Sequence, residues 1–311
     1  MTIPAPILIA GPTASGKSAF ALALAEKVGG TIINADAMQV YRELRVLTAR
    51  PSDADTRRAP HLLYGHVAAA DAYSAARYAS EARRAIDDVI ETGRVPIIVG
   101  GTGLYFKALT EGLSPIPQIP DEIRARWRQA AGEEGGAAAL HAVLAERDPE
   151  MAARLRPTDP QRIVRALEVL EATGRSLARW QEIPGEPAIT IGEGRAFVVA
   201  PSREEMRCRI DARFDAMLAE GALDEVRALV GLGLDPDLPA MRALGVKPLA
   251  ELLAGRMAKE EAAEAAKAET RQYAKRQVTW LRRNMITWKW ILAQEMKSFS
   301  TEIRDFINSK A

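Results

Sequence analysis

The chain has 311 residues, 48% hydrophobic and 27% charged, with a formal net charge of +1, one cysteine and three histidines. This length predicts either one large domain carrying an insertion or two unequal domains. The composition excludes a disulfide-stapled fold, a structural zinc cluster and a uniformly basic nucleic-acid binder, so any RNA partner must be met by local patches.

The opening MTIPAPILIAG is too short an apolar run for a secretory signal, and no stretch approaches membrane-spanning length. With the lone Cys208, this predicts a cytoplasmic protein without membrane association. PILIA (6–10) reads as a buried strand, and residues 18–28 have the apolar spacing of a helix closed by Gly29 and Gly30. Between them, Gly11, Pro12, Thr13, Ala14, Ser15, Gly16, Lys17 and Ser18 fit G-x-x-x-x-G-K-[ST] at every fixed position. A strand before and a helix after are the context that gives this motif its meaning. Backbone N–H groups curl round phosphate oxygens, the helix N-terminus adds partial positive charge, Lys17 supplies a cation and Ser18 a hydroxyl for Mg²⁺.

TIINAD (31–36) is a second apolar run stopping at Asp36, residues 73–92 read as a helix closed by Gly93, and VPIIVGG (95–101) is a third buried strand. Short apolar strands alternating with helices predict an α/β fold, a parallel sheet flanked by helices. LSPIPQIP (113–120) is a proline-rich linker into an arginine-rich helical stretch without a strand candidate, and IPGEPAITIGEG (183–194) returns the chain to the core. The expected division is a phosphate-loop core over 1–114 and 186–311, with a helical insertion domain over 115–185. RAFVVAP (195–201) reads as a further strand. Beyond it the chain is mostly helical, with a long helix over 259–284 and an apolar patch, MITWKWIL (285–292).

Triphosphate hydrolases and many kinases also need an acid at the end of a neighbouring strand to hold the metal. Here PIIVGGTGLYF runs into Gly100, Gly101, Thr102 and Gly103 instead. The acid that does end a strand is Asp36, which can hold metal through water or take a proton from an incoming nucleophile. The second use suits a transferase. Thr102 sits among glycines that leave its surroundings open to a ligand or let it cap the following helix. Gln39 carries the donor and acceptor pair that reads an adenine edge. Met38, Tyr41, Leu104, Tyr105 and Phe106 can line a pocket or pack the core. Three basic clusters stand out: Arg124 with Arg128, Arg162 with Arg165, and the acid-free TRQYAKRQVTWLRR (270–283), where Arg271, Lys275 and Arg282 share a helical face.

GPTASGKS, NADAMQVY, PHLLYGH with YSAARY, VGGTGLYFKAL, DPQRIVRALEV and TRQYAKRQVTWLRR, taken in order, resemble the tRNA dimethylallyltransferases over about residues 6–283. The resemblance implies a P-loop NTPase-like sheet with a helical insertion domain contacting tRNA, and transfer of a dimethylallyl group to N6 of adenosine 37 in the anticodon loop. It implies that the loop formed by Gly11 to Ser18 holds the diphosphate of dimethylallyl diphosphate, a leaving group and not a fuel. Catalysis is then expected of Asp36, Thr102 and Lys17, with Mg²⁺ at Ser18. The implied tRNA contacts are Asp36, Ala37, Met38, Gln39, Thr102, Arg124, Gln161, Arg162, Ile163, Val164, Arg165, Arg242, Gly245, Lys247, Lys275, Arg276, Gln277 and Arg282. Ala37 replaces the usual serine of the family, which removes one hydroxyl from that segment. A monomer is expected. The alternatives are a P-loop nucleoside or small-metabolite kinase, disfavoured by the missing strand-end acid and the cationic helix, and an RNA-binding module with a vestigial loop, disfavoured by intact Lys17, Ser18 and Asp36.

Overall fold

Apolar runs such as ILIA and VPIIVG have no polar side on which to meet water, so they are stable only as strands covered on both faces. The computed structural model describes residues 5–133, 135–192, 194–292, 295, 296, 303 and 305. The chain divides into two units, Met1–Thr110 with Ala188–Ala311, and Glu111–Pro187.

In the first unit the order is β1 (Ile7–Ala10), α1 (Lys17–Val28), β2 (Gly30–Asn34), α2 (Asp53–Arg58), β3 (His61–Leu62), α3 (Ala75–Glu91), β4 (Val95–Gly100) and α4 (Gly103–Thr110). The second unit contributes α5 (Asp121–Gly132), α6 (Gly136–Arg147), α7 (Pro149–Arg154), α8 (Pro160–Thr173) and α9 (Leu177–Gln181). The chain then re-enters the first unit through β5 (Ala196–Val199), α10 (Arg203–Ala219), α11 (Ala222–Gly231), α12 (Val246–Leu253), α13 (Lys259–Asn284) and β6 (Lys289–Ile291).

The six strands form one sheet in the order β3-β2-β4-β1-β5-β6, and every pairing is parallel. Alternate residues serve opposite faces. Leu8, Ala10, Ile33, Ile98 and Val198 pack with α3, α4 and the C-terminal helices, while Ile7, Ile9, Ile97, Val99, Phe197 and Val199 pack against Phe20, Leu24 and Ala25 of α1. On α3 the buried residues Tyr78, Ala82, Ala85, Ile86 and Val89 recur at helical spacing, so one stripe faces the sheet and the rest stays wet. The fold is thus the P-loop NTPase-like parallel sheet flanked by helices.

Two strands lie outside the expected set. β3 is two residues long and β6, within the MITWKWIL patch, is three. Such short edge strands carry no readable periodicity; their ladders with Ile32–Ile33 and with Phe197–Val199 specify them.

Helices are the regular elements of the second unit among its described residues, around a core that includes Leu140, Leu144, Ile163, Val164 and Leu167. Asp148 and Asp159 cap α7 and α8, each followed by a proline at the first helical turn. Ile163 and Val164 are 0% and 7% exposed. Their side chains are core, a correction to their expected contact with RNA: an apolar residue on the inner face of an amphipathic helix is not available to a polar partner.

Candidate active site

In a parallel sheet all carboxyl ends of the strands lie along one edge, and adjacent strands bring their following loops together there. β2, β4 and β1 are neighbours, which gathers Asp36, the Gly101-Thr102 turn and the phosphate loop. The loops are joined backbone to backbone. Ala35 N donates to Val99 O at 2.7 Å, Thr102 N to Ala35 O at 3.2 Å and Gly11 N to Gly100 O at 3.2 Å. The glycines of the Gly-Gly-Thr-Gly turn make room for neighbouring protein groups, while Gly101 and Gly103 also line a small pocket beside Thr102. A Cβ on Gly100 would lie 2.0 Å from Ala35 O, one on Gly101 2.4 Å from Gln277 Nε2, and one on Gly103 2.1 Å from the Trp280 ring. Thr102 itself accepts the Ala37 N–H at 2.9 Å through Oγ1 and faces the Tyr273 phenol.

In the phosphate loop, Gly16 has φ of 90° and caps α1 in the left-handed region, where a side chain would be strained. The N–H groups of Ala14 and Gly16 meet no acceptor among the described residues, as an anion cradle requires. Ser15 is fully buried and its Oγ accepts from Lys17 N at 3.4 Å. Lys17 Nζ rests on Pro12 O at 3.2 Å. Burial pushes the Lys17 ammonium down to about 8, with nearby Asp36 opposing the shift and Arg213 adding to it. An ammonium so poorly solvated binds an arriving anion strongly.

Asp36 is half-buried. Its Oδ1 accepts from Met38 N at 2.9 Å, while Asn34, buried at 0% exposure, brackets its backbone from both sides, accepting from Asp36 N and donating to Asp36 O. The carboxylate is held and Oδ2 has no donor among the described residues. Both it and Arg213 line a cavity of about 310 Å³. Thr13 and Ala14 of the loop form one wall of this cavity, Met38, Leu47, Phe214, Met217 and Leu244 give an apolar part, and Tyr273 and Arg276 close another side. Arg213 is pushed below its ordinary range by burial and steadied by Asp36.

The remaining expected contacts divide by what they already hold. Gln39 donates both N–H groups of its amide to Thr48 O and Ala49 O at 2.9 Å, so its donor is spent on the loop and cannot read a base. Arg271 is paired with Asp211 at 2.6 Å and with Glu264, which corrects its expected role as a phosphate contact. Arg242 is paired with Asp237, and Gly245 (φ 85°) forms the turn into α12. Lys247, Lys275, Arg276 and Arg282 are exposed on the same unit. In the second unit, Arg124 pairs with Asp121 on its own helix at 3.6 Å, Arg162 with the α8 cap Asp159 at 3.3 Å, Arg165 approaches Glu168 at 3.4 Å, and Gln161 is exposed. Gln277, expected at the RNA surface, is 6% exposed and bonded to the phosphate loop.

A family model described as IPP transferase matches residues 39–284. The chain is 56% identical to the tRNA dimethylallyltransferase of Parvibaculum lavamentivorans over 302 residues, 97% of this chain and 95% of that protein. The chain belongs to this family. Among solved structures it is similar to the tRNA isopentenylpyrophosphate transferase of Staphylococcus epidermidis (TM-score 0.69, 31% identity, 98% of this chain and 99% of that one). It is also similar to a eukaryotic dimethylallyltransferase captured acting on tRNA (TM-score 0.76, 27% identity, 93% of this chain and 74% of that one).

In this IPP transferase, reading the sequence missed Arg213, Tyr273 and the clamp made by Gln277. Arg213 had a legible signal. On α10 it follows Ile210 by three and precedes Phe214 and Met217, a cation set in a stripe that otherwise packs inward. Asn34 brackets Asp36 through bonds two residues along the chain, the local turn an Asn side chain can make, and its amide also reaches the Leu63 carbonyl at 3.0 Å, a contact only the tertiary structure supplies.

Proposed function

We propose that the chain transfers a dimethylallyl group from dimethylallyl diphosphate to N6 of adenosine 37 in the anticodon loop of tRNA, releasing diphosphate. The observation that carries this reading is one cavity on which the phosphate loop, a held carboxylate and a half-buried arginine converge. The family to which the chain belongs supports it, and the kinase reading has no acid at the end of β4 to rest on.

The reaction breaks the bond between the allylic carbon and the diphosphate oxygen, whose electron pair leaves with the diphosphate. The N6 lone pair forms the new bond to carbon, and the N6 proton passes to Asp36 Oδ2. Charge developing on the leaving oxygens is met by loop N–H groups, Lys17 and Arg213, fixed before the reaction begins. The apolar side formed by Met38, Leu47, Phe214, Met217 and Leu244 suits the five-carbon chain. An anticodon-loop base reaches such a cavity only when taken out of its stack. Thr102 orients the segment that carries Asp36 through the Ala37 N–H.

Mg²⁺ fits the donor set. Ser18 offers an exposed hydroxyl at the start of α1, and no group of three or more His, Cys, Asp or Glu among the described residues forms a dedicated cage. A Mg²⁺ held by Ser18, water and the substrate's own oxygens would neutralise diphosphate charge. No described helix is long and apolar enough to cross a membrane. We place the protein in the cytoplasm as a monomer, where unmodified tRNA is met.

The test is an assay with purified protein, Mg²⁺, dimethylallyl diphosphate and unmodified tRNA carrying adenosines at 36–38, with ATP offered in a parallel tube. The expected product is tRNA whose adenosine 37 has gained one isopentenyl unit by mass. Phosphate transfer from ATP without isoprenoid would overturn the reading. For the RNA surface, replacing Lys275 and Arg282 together by alanine is expected to weaken tRNA binding and flatten its salt dependence by roughly one unit of slope per lost phosphate contact. Arg271→Ala is expected to leave that slope unchanged and to lower the melting temperature, because its partners Asp211 and Glu264 lie within the protein.

A further inference from the structure

Gln277 sits on α13, in a cation-rich run whose neighbours Lys275 and Arg276 are exposed, yet its own side chain is buried. Its amide is fully directional there. Oε1 accepts from Thr13 N at 2.9 Å and Nε2 donates to Gly101 O at 2.8 Å. One primary amide thus spans the phosphate loop after β1 and the glycine turn after β4, and it does so across 264 and 176 residues of sequence. Glutamate would lack the donor, lysine and arginine the acceptor, and leucine both. Gly101 has no side chain because this amide takes its place, and the same missing Cβ would lie 3.4 Å from Asp36 Oδ2.

We propose that Gln277 is a positioning residue that fixes the distance between the diphosphate cradle and the Asp36–Thr102 base-accepting side, and so sets the alignment of leaving group and nucleophile. This rests on the prenyl-transfer reading above. The clamp turns the Thr13 N–H away from the cradle and commits it to holding the loop in place. The Gly101 carbonyl, fixed at its other end, leads directly into Thr102, whose hydroxyl orients Ala37 next to Asp36. Loss of the amide leaves every group that touches substrate in the protein but frees the two loops to drift by the fraction of an ångström that in-line displacement does not tolerate.

The experiment compares wild type, Gln277→Met, Gln277→Glu and Gly101→Ala by single-turnover chemical quench at saturating tRNA and dimethylallyl diphosphate. Dissociation constants for tRNA and for inorganic diphosphate, and melting temperatures, are measured beside the rates. Gln277→Met keeps the length and removes both bonds, Gln277→Glu keeps only the acceptor, and Gly101→Ala drives a methyl group into the amide from the opposite side. The expected result is a single-turnover rate lower by roughly 10- to 100-fold in Gln277→Met, with an intermediate loss in Gln277→Glu and a loss in Gly101→Ala, while tRNA affinity stays within a few-fold. Three outcomes overturn the proposal: a weaker tRNA affinity with an unchanged saturated rate, which makes Gln277 an RNA contact; a lower melting temperature with an unchanged saturated rate, which makes it structural only; and a wild-type rate in Gly101→Ala. Failure of the underlying function is separately visible, as absence of prenyl transfer by the wild-type protein.

Discussion

Asp36→Asn is expected to lower the single-turnover rate of prenyl transfer by about 10²- to 10⁴-fold, the range for loss of a positioned general base, with tRNA affinity within a few-fold of wild type. The substitution is nearly isosteric. Asparagine Oδ1 can still accept the Met38 N–H, and Asn34 still brackets the backbone, so the loop keeps its shape. What disappears is the oxygen that takes the N6 proton, replaced by an amide nitrogen that can only donate. A variant with wild-type turnover would remove the assignment of Asp36 as base. A second consequence follows from charge: Asp36 raises the Lys17 pKa, so neutralising it moves the titration of Lys17 below about 8, visible in the pH dependence of diphosphate binding.

Lys17→Met is expected to cost about 10²- to 10³-fold in the saturated rate, the order measured when one preorganised charge-stabilising donor is lost. In the wild type, kcat/KM for dimethylallyl diphosphate is expected to fall as pH rises through about 8, because the free enzyme then loses the ammonium that receives the anion. Lys17→Arg keeps its charge throughout and is expected to flatten this limb. Stability runs the other way. The native ammonium titrates at about 8 and the unfolded one near 10.5, so between these values the unfolded chain binds more protons and stability rises with pH. Below pH 8 the cost of burying the ammonium is fully present. Lys17→Met is therefore expected to melt at a higher temperature than wild type at pH 7 without diphosphate. A lower melting temperature there, together with a kcat/KM that does not change through pH 8, would contradict the burial and the role of Lys17.

The central strands and the long helices were legible because their signal is local. ILIA and VPIIVG have no polar face, α3 repeats its apolar residues at helical spacing, and α13 spans Lys259–Asn284, the stretch its helix formers imply. The phosphate loop was legible for a similar reason, since glycine, lysine and serine at fixed spacing mean little except between a strand and a helix. β3 and β6 were not legible, as two or three residues at a sheet edge owe their structure to a neighbour. Gln277 and Arg271 misled for another reason. Both stand in a cationic run that reads as an RNA surface, but helical geometry turns Gln277 inward while Lys275 and Arg276, two residues and one residue away, face solvent, and acids at 211 and 264 wait for Arg271.

The alternation of apolar strands and amphipathic helices, and the placing of a phosphate-binding turn behind β1, follow from nearest-neighbour chemistry that any window of ten or twenty residues contains. Strand order does not: only the packed sheet sets β2, β4 and β1 side by side, and with them the ends that carry Asp36, Thr102 and the loop. The functions of Arg213 and Gln277 depend on partners far along the chain, Arg213 meeting Asp36 and Gln277 meeting Thr13 and Gly101. Hydrogen bonds and charges act over a few ångströms in space, and such distances exist only after the chain has closed on itself.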